Sequence, residues 1–165
     1  MHHQHTISVV VENEFGVLAR VSGLFSGRGF NIESLSVAPT SDESLSRITI
    51  VTSGDEAVLE QITKQLNKLV DVIKVLDFSD GSAIERELAL IKVTAEDDSR
   101  AEVLRIVDIF RAKIIDVTPK SYTIEATGSP AKINAILDLL RPLGLKELVR
   151  TGAVAIGRGA KGWKG

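Results

Sequence analysis

The apolar positions at the start of the chain change their spacing from two residues to three and four. A strand with one buried face is predicted over 6–11, and its buried positions are Ile7, Val9 and Val11. Five apolar residues then recur at helical spacing: Val17, Leu18, Val21, Leu24 and Phe25. The glycine-rich run 27–29 predicts the end of this helix, with Gly29 in the left-handed conformation that closes many helices.

The same alternation of strand and helix patterns continues to residue 78. Three further strands are predicted from short apolar runs, over 32–38, 45–52 and 70–78. The first two are joined by the polar turn 39–44 and form a hairpin. Ser53 precedes Glu56 by three residues, the spacing of a capping box, so a second helix is expected to begin there. Its apolar stripe consists of Val58, Leu59, Ile62, Leu66 and Leu69.

The order of elements repeats after a polar segment over 79–85. Strands are predicted over 88–94, 113–118 and 122–127, with a last strand inside 145–155. Ser99 and Glu102 again have capping-box spacing, while Ser129 and Pro130 are typical of a helix start. The two apolar stripes are Val103, Leu104, Ile106, Val107 and Phe110, then Ile133, Ile136, Leu137 and Leu140. Pro142 and Gly144 predict the end of the last helix.

These patterns predict an α+β protein of two ferredoxin-like βαββαβ units, each an antiparallel sheet with helices on one face. The predicted boundaries are 1–78 for the first domain, 79–85 for a linker, 86–157 for the second domain and 158–165 for a flexible tail. The face without helices is expected to be open, and to include Ser8, Val10 and Val51. Something is expected to cover this face or its edge, because an uncovered edge strand pairs readily with an identical chain.

Composition excludes several classes of function. Of the 165 residues, 44% are hydrophobic and 25% are charged, as in an ordinary globular protein. A net charge of −2 provides no general attraction for phosphates, so nucleic acid is not an expected partner. There is no cysteine, no signal-peptide pattern and no apolar run near the roughly 18 residues that cross a bilayer. We therefore expect a cytoplasmic protein that neither enters a membrane nor binds a metal.

The run VENEFGVLARVSGLFSGRGFNIESLSVAP, over 11–39, resembles the ACT domain of the small, regulatory subunit of acetolactate (acetohydroxyacid) synthase. The resemblance covers essentially residues 5–160 and continues through SRITIVTSGDE, QITKQLNKLVDVIKV, IERELALIKV and IFRAKIIDVTPKSYTIEATG. It implies an N-terminal ACT domain that forms a homodimer. It also implies a noncatalytic chain that activates the large catalytic subunit and makes it sensitive to valine, with leucine and isoleucine as weaker ligands. Thiamine diphosphate, FAD and Mg would then belong to the large subunit, and this chain would carry no cofactor.

The turn before the first helix suits the head group of such a ligand. Gly16 precedes a helix N-terminus, where free backbone N–H groups and the positive end of the dipole attract a carboxylate. Asn13 and Asn31 each offer one carbonyl acceptor and one amide donor. The complete candidate valine site is Asn13, Glu14, Phe15, Gly16, Val17, Leu18, Asn31 and Ile32, of which Val17, Leu18 and Ile32 line the side-chain pocket.

The candidate site depends on a second chain if it lies at the dimer interface. Residues 13–18 would then come from one chain and 31–32 from its partner, so ligand binding would change the interface itself. Turn chemistry alone makes Asn13 and Gly16 an ordinary loop, and the family resemblance reverses that interpretation.

Other residues that could carry chemistry have more ordinary interpretations. His2, His3 and His5 lack a carboxylate or cysteine at ligand spacing and are expected to be solvated on a frayed terminus. The acidic run 96–98 favours a role in complementing a helix N-terminus. The glycine–arginine motifs at 27–29 and 157–162 lack the strand–loop–helix context of a phosphate loop. Four cations either form a solvated face or dock a larger acidic subunit: Arg47, Arg86, Lys92 and Arg111.

Two other functions are compatible with the predicted topology. An acylphosphatase-like hydrolase would use an arginine and an asparagine, and Arg20 and Asn31 supply those residue types, but Arg20 falls within the predicted helix. An RNA-binding module would need aromatic residues on the central strands. The runs 7–11 and 48–51 contain none.

Overall fold

The computed structural model describes residues 3–28, with side chains from Gln4, together with residues 30–160 and 163. These residues form two compact units. The first unit runs to Ile84 and also includes the residues from Ala153 onward, and the second comprises Glu85–Gly152. Both units have the predicted order of strands and helices, so the α+β class with two βαββαβ units is confirmed.

The first unit has a four-stranded antiparallel sheet in the order β2–β3–β1–β4. Its elements are β1 (His3–Glu12), α1 (Val17–Ser26), β2 (Asn31–Pro39), β3 (Leu45–Gly54), α2 (Glu56–Leu66) and β4 (Val72–Asp77). Ile7 and Val9 on β1 pack with Phe25 of α1 and Ile62 of α2 in a core without solvent exposure. Burying each such side chain contributes about 1.5–3 kcal/mol, which holds both helices on one face of the sheet.

The second unit repeats this arrangement with the sheet order β6–β7–β5–β8. Its elements are β5 (Ala83–Thr94), α3 (Asp98–Ile109), β6 (Lys113–Val117), β7 (Ser121–Gly128), α4 (Pro130–Leu140) and β8 (Leu145–Arg150). A short 3-10 helix (Arg141–Leu143) follows α4. Because β5 begins at Ala83, the last residues of the predicted linker are strand. A further strand, β9 (Val154–Gly157), pairs with β5, so the predicted last strand is in fact two.

Two of the three predicted helix caps differ from the structure. Ser53 lies in β3, where it pairs with Gln4 and Asn31, and the carboxylate of Asp55 accepts from the Ala57 N–H instead. The sheet extends past the predicted end of the strand and takes Ser53 with it. Ser99 lies inside α3, and its hydroxyl bonds back to Glu96 rather than capping the helix. The cap at Ser129 is confirmed, since its hydroxyl accepts from the Lys132 N–H.

The sheet face opposite the helices is buried at Ser8, Val10 and Val51, so the expectation that this face is open was wrong, whereas the expectation that something covers it is confirmed. Arg47 lies on this face and donates from Nε to the Ser8 hydroxyl at 2.6 Å and from Nη2 to the Ala155 carbonyl at 3.1 Å. The chain's own C-terminal segment therefore contacts this face. Burial lowers the pKa of the Arg47 guanidinium from its usual value.

The prediction of solvated histidines near the N-terminus is wrong for His5. His5 is not solvated but buried in β1, with its ring nitrogens 3.0 Å from the Ser79 hydroxyl and 3.3 Å from the Gly54 carbonyl. His2 and Gly29, with the predictions made for them, lie outside the described residues, as does the side chain of His3. Helix α1 is closed at Gly27, whose N–H donates to the Gly23 carbonyl at 3.0 Å.

None of the helices in the described residues combines the length and the apolar character needed to span a bilayer.

Candidate functional site

The turn from Asn13 to Gly16 is fixed by the neighbouring hairpin. The Asn13 backbone N–H donates to the Ser44 carbonyl at 2.8 Å, and its side-chain Nδ2 donates to the Glu43 carbonyl at 3.2 Å. A carbonyl partner identifies the nitrogen end of the carboxamide. The oxygen end of Asn13 is therefore the part of the side chain that is available to accept a hydrogen bond from a ligand.

Helix α1 begins without any side chain to cap it. Gly16 has φ +81° and ψ −8°, a left-handed conformation that favours glycine. It provides no side-chain cap, and the first turn contains no acidic residue. The backbone N–H groups at this N-terminus thus lack a carboxylate from their own helix, and they carry the positive end of the helix dipole.

Arg20 reaches back over this N-terminus from one turn further along α1. Its guanidinium Nη1 lies 3.0 Å from where a Cβ on Gly16 would be. Its Nε and Nη2 donate to Oδ2 of Asp71, at 3.2 Å and 2.5 Å, from the loop before β4. Arg20 was not predicted to be part of the amino-acid site. Its four-residue distance from Gly16 in a helix was the signal that could have identified it.

Three carboxylates gather beside this arginine. Glu12, Glu14 and Asp71 each place an oxygen within 4.8 Å of the others. The Glu12 backbone N–H also donates to the Asp71 carbonyl at 2.8 Å, which fixes the loop that carries Asp71. The turn therefore presents a guanidinium and a group of acids side by side, which matches the two charges of a zwitterion.

The remaining predicted site residues lie at the opposite end of the same sheet. Asn31 pairs with Ser53 on β3, and Ser53 pairs with Gln4 on β1, nine residues before Asn13. At a rise of about 3.3 Å per residue, this separates Asn31 from Asn13 by about 30 Å. Residues 13–18 and residues 31–32 therefore do not meet within one chain.

The candidate apolar residues differ in what they can contact. Phe15 is fully exposed and Leu18 is 38% exposed, so both face outward beside the turn. Val17 is buried in the core, and Ile32 is half-buried against it. Phe15 and Leu18 are thus the apolar side chains that this end of the sheet offers to a ligand or a second chain.

The geometry does not favour the other two functions. Arg20 lies at the Asn13 end of the sheet and Asn31 at the other, so a single chain does not bring them together as a hydrolase site would require. The outer face of the sheet, where an RNA-binding module stacks bases, is buried at Ser8, Val10 and Val51 and has no aromatic residue on β1 or β3.

The predicted basic residues serve different local contacts. Lys92 pairs with Glu147 at 3.4 Å on the surface, and Arg86 lines a shallow cavity of about 260 Å³ with Ser129 and Lys132 at the start of α4. Arg47 is engaged as described above. These contacts are local, and they leave the docking role of these cations a prediction.

Both units match families of known sequence. Residues 7–74 match the AHAS small subunit-like ACT domain, and residues 86–159 match a family described as the small subunit of acetolactate synthase. The acetolactate synthase small subunit of Mycolicibacterium smegmatis is 52% identical over 96% of this chain and 93% of its own length. The probable acetolactate synthase small subunit of Archaeoglobus fulgidus is 54% identical over 96% of this chain and 99% of its own.

The fold agrees with the sequence matches. The crystal structure of the acetolactate synthase small subunit from Thermotoga maritima superposes with a TM-score of 0.85 at 42% identity, covering 96% of this chain and 99% of that one. The match extends over both units, and its identity is well above the range in which only a fold is shared. The chain therefore belongs to the acetolactate synthase small-subunit family, with an ACT domain as its first unit.

Proposed function

We propose that this chain is the regulatory subunit of acetolactate synthase and binds valine where two ACT domains meet. In this proposal valine is the feedback inhibitor, and the chain activates the large catalytic subunit in the synthesis of branched-chain amino acids. The observation that carries the proposal is the separation of residues 13–18 from residues 31–32 along the sheet. A second chain is needed to bring these two groups together.

Pairing between two β2 strands would achieve this. Among the described residues β2 is an edge strand whose only neighbour is β3, and it exposes the apolar side chain of Val37. Asn31 begins β2, while Pro39 ends it at the Asn13 end of the sheet, where it pairs with Ser46. Antiparallel pairing about a two-fold axis places Asn31 of one chain opposite Pro39 of the other. Each Asn31 then lies at the end of the sheet that carries the partner's Gly16 turn.

Pairing through the opposite edge, β4, would not complete the site. β4 pairs with β1, whereas β2 lies beyond β3 at the other edge of the sheet. A dimer through β4 would leave Asn31 separated from the turn of either chain. The proposed dimer is therefore a continuous eight-stranded sheet with two equivalent valine sites at the β2–β2 interface.

The residues at each site have the chemistry that a small amino acid requires. The N-terminus of α1 attracts the carboxylate, and the free oxygen of Asn13 accepts from the ammonium group. Asn31 of the other chain offers both a donor and an acceptor. Leu18 and Ile32 supply apolar contacts for the side chain, with Glu14, Phe15 and Val17 completing the turn. Each additional methylene changes binding by about 1–3 kcal/mol, which allows leucine and isoleucine to bind more weakly than valine.

Regulation follows from linkage in this proposal. Valine binds one arrangement of the dimer more tightly, and the catalytic subunit binds the alternative arrangement more tightly. Valine and the catalytic subunit therefore weaken each other's binding by the same free energy. Residues 1–78 carry ligand binding and dimerisation, and residues 86–157 help dock the catalytic subunit. Thiamine diphosphate, FAD and Mg belong to that large subunit, and the complex works in the cytoplasm.

Mixing two defective variants tests the shared site. Asn13→Ala and Asn31→Ala are each expected to lose about 1–3 kcal/mol of valine binding, because a buried polar partner is left unpaired. When the two variants are refolded together, random mixing should restore about a quarter of the sites to wild-type affinity, since each mixed dimer contains one intact site. Isothermal titration calorimetry measures this fraction.

The matched control mixes two variants from the same half of the site. Asn13→Ala refolded with Gly16→Asp should restore nothing, because every site then contains a defective turn. Restoration in this control, or none in the first mixture, would contradict a site shared between chains. Absence of heat with valine, leucine and isoleucine for the wild-type chain would contradict amino-acid binding altogether.

A further inference from the structure

The Arg20–Asp71 ion pair lies directly beside the proposed valine site. Asp71 accepts from both Nε and Nη2 of Arg20 through a single oxygen, Oδ2. The pair is therefore not bidentate, since a bidentate pair would use both carboxylate oxygens, one for each N–H group. Arg20 is about half exposed, and its Nη1 points to Gly16 without a hydrogen-bond partner among the described residues. The guanidinium therefore retains binding capacity on the side that faces the N-terminus of α1.

We propose that Arg20 is the specificity-determining residue that binds the ligand's carboxylate, and that Asp71 occupies Arg20 until the ligand arrives. This inference rests on the proposed function and names the group that selects for a free α-carboxylate. A guanidinium binds a carboxylate with planar, two-pronged geometry that a helix N-terminus alone does not provide. The ligand's carboxylate can bind the guanidinium and the N-terminus of α1 together, because Nη1 already lies beside the uncapped turn.

The surrounding charges favour a zwitterion as the ligand that displaces Asp71 from Arg20. Asp71 stands among the carboxylates of Glu12 and Glu14, and like charges at this distance repel one another. When the ligand's carboxylate takes the guanidinium, the ligand's own ammonium group lies near the carboxylates of Glu12 and Glu14. A zwitterion therefore replaces one ion pair with two. An amine lacks the group that displaces Asp71, and a simple carboxylic acid lacks the group that neutralises the acids.

Comparing valine with L-valinamide isolates the role of Arg20. Valinamide keeps the ammonium and the side chain but lacks the carboxylate. We expect the wild-type chain to bind valine about 10- to 100-fold more tightly than valinamide, the range typical of a charge-assisted hydrogen bond. Arg20→Gln should weaken valine by a similar factor and leave valinamide almost unchanged. Calorimetry on the full chain measures both affinities.

Asp71→Asn should change valine binding in the opposite direction. Removing the competing carboxylate frees Arg20, so valine affinity should rise about three- to tenfold by mass action. Arg105→Gln is the matched control, since it breaks a surface ion pair with Glu102 on α3 in the second unit and should alter neither ligand's binding. Thermal unfolding of each variant verifies that the fold is retained.

The outcomes separate this inference from the proposed function. Wild-type binding of valine with an unchanged affinity in Arg20→Gln contradicts only the role of Arg20. Equal weakening of valine and valinamide, or weakening of valine by Asp71→Asn, identifies a merely structural ion pair and overturns the inference. If the wild-type chain binds no valine, the proposed function fails and this inference fails with it.

Discussion

The first helices of the two units begin in the same topological position but satisfy their N-termini differently. Helix α1 starts after Gly16 with no side-chain cap and no acid in its first turn. Helix α3 also lacks a side-chain cap, but it starts with Asp98 in its first turn, directly after the acidic residues Glu96 and Asp97. The second unit thus supplies its own negative charge at a position that the first unit leaves open.

The arginines near the two helix starts differ in the same way. Arg100 on α3 donates from Nη1 to the carbonyls of Ala95, Thr118 and Pro119, at 2.7–3.2 Å, and its guanidinium lies 4.5 Å from the centre of the Tyr122 ring. Within the part of the chain that the structure describes, the guanidinium of Arg20 on α1 donates to a single carboxylate oxygen, Oδ2 of Asp71. The two units therefore share a fold but differ in this arginine: Arg100 in the second unit holds a loop, and Arg20 in the first unit keeps part of its guanidinium available. The difference explains why a ligand site is expected in the first unit alone.

Gly16→Asp should make the first unit resemble the second and abolish detectable valine binding. A Cβ at this position would lie 3.0 Å from Nη1 of Arg20, so the new carboxylate would occupy the guanidinium and repel the ligand's own. The dimer should persist, because Gly16 is not on the β2 edge. Valine inhibition of the complex with the catalytic subunit, measured as acetolactate formation, tests this.

Gly81→Asp is the control for that experiment. Gly81 also has a positive φ, +78°, but a Cβ there would meet nothing within 4 Å. Both variants carry the strain of a non-glycine residue in a left-handed turn, and only Gly16→Asp adds a charge to the site. If the complex with Gly16→Asp is inhibited by valine at wild-type concentrations, the carboxylate does not bind at this turn.

Arg100→Gln should mainly lower the stability of the fold, whereas Arg20→Gln should mainly weaken valine binding. Arg100→Gln leaves three carbonyls without a charged donor and should lower the free energy of unfolding by about 1.5–3 kcal/mol. Arg20→Gln breaks a half-exposed ion pair and should lower it by less than about 1 kcal/mol. Urea titrations followed by circular dichroism compare the two. A larger loss for Arg20→Gln would show that Arg20, too, is a structural residue.

The periodic pattern was sufficient to predict most of the fold. The core positions Ile7, Ile62 and Ile136 were predicted because helix and strand spacing are properties of the local sequence. The second strand near the C-terminus was missed. Gly152, with φ +83°, separates β8 from β9 and returns the chain to the first unit, and no local pattern indicates that distant destination.

The candidate site was predictable only in part. The turn at Gly16 carries a recognisable signal, since a glycine before an uncapped helix is a feature of the sequence. The pair between Arg20 and Asp71 joins residues 51 positions apart, and only the sheet order brings the loop before β4 beside α1. The separation of Asn13 from Asn31 likewise depends on strand register, which the sequence pattern leaves open.

The helix caps offer a smaller test of the same comparison. Asp55→Ala on α2 and Ser129→Ala on α4 should each lower the free energy of unfolding by about 0.5–2 kcal/mol, because each removes an observed side-chain cap. Ser53→Ala should have a smaller effect, since Ser53 pairs through its backbone in β3. Chemical denaturation measures all three. An equal loss for Ser53→Ala would restore the capping box that the sequence suggested.

The hairpin turns of the two units should differ in their response to acid. Asp42 in the first hairpin accepts from the Ser44 hydroxyl at 2.7 Å and from the Ser44 N–H at 3.0 Å, and these bonds lower the pKa of Asp42 from its usual value of 3.8. The second hairpin uses the hydroxyls of Thr118 and Ser121, 2.8 Å apart, and has no titrating group in that contact.

A depressed carboxyl pKa in the folded state means that the turn gains stability above the usual Asp pKa and loses it as the pH falls through the lower, folded value. NMR titration of Asp42 should therefore give a midpoint below 3.8. Ser44→Ala should move that midpoint upward, because the side-chain hydrogen bond from Ser44 is the largest cause of the shift. Backbone amide signals of 118–121 should not respond over the same pH range. An Asp42 midpoint that is insensitive to Ser44→Ala would place the source of the shift elsewhere and remove this contrast between the two hairpins.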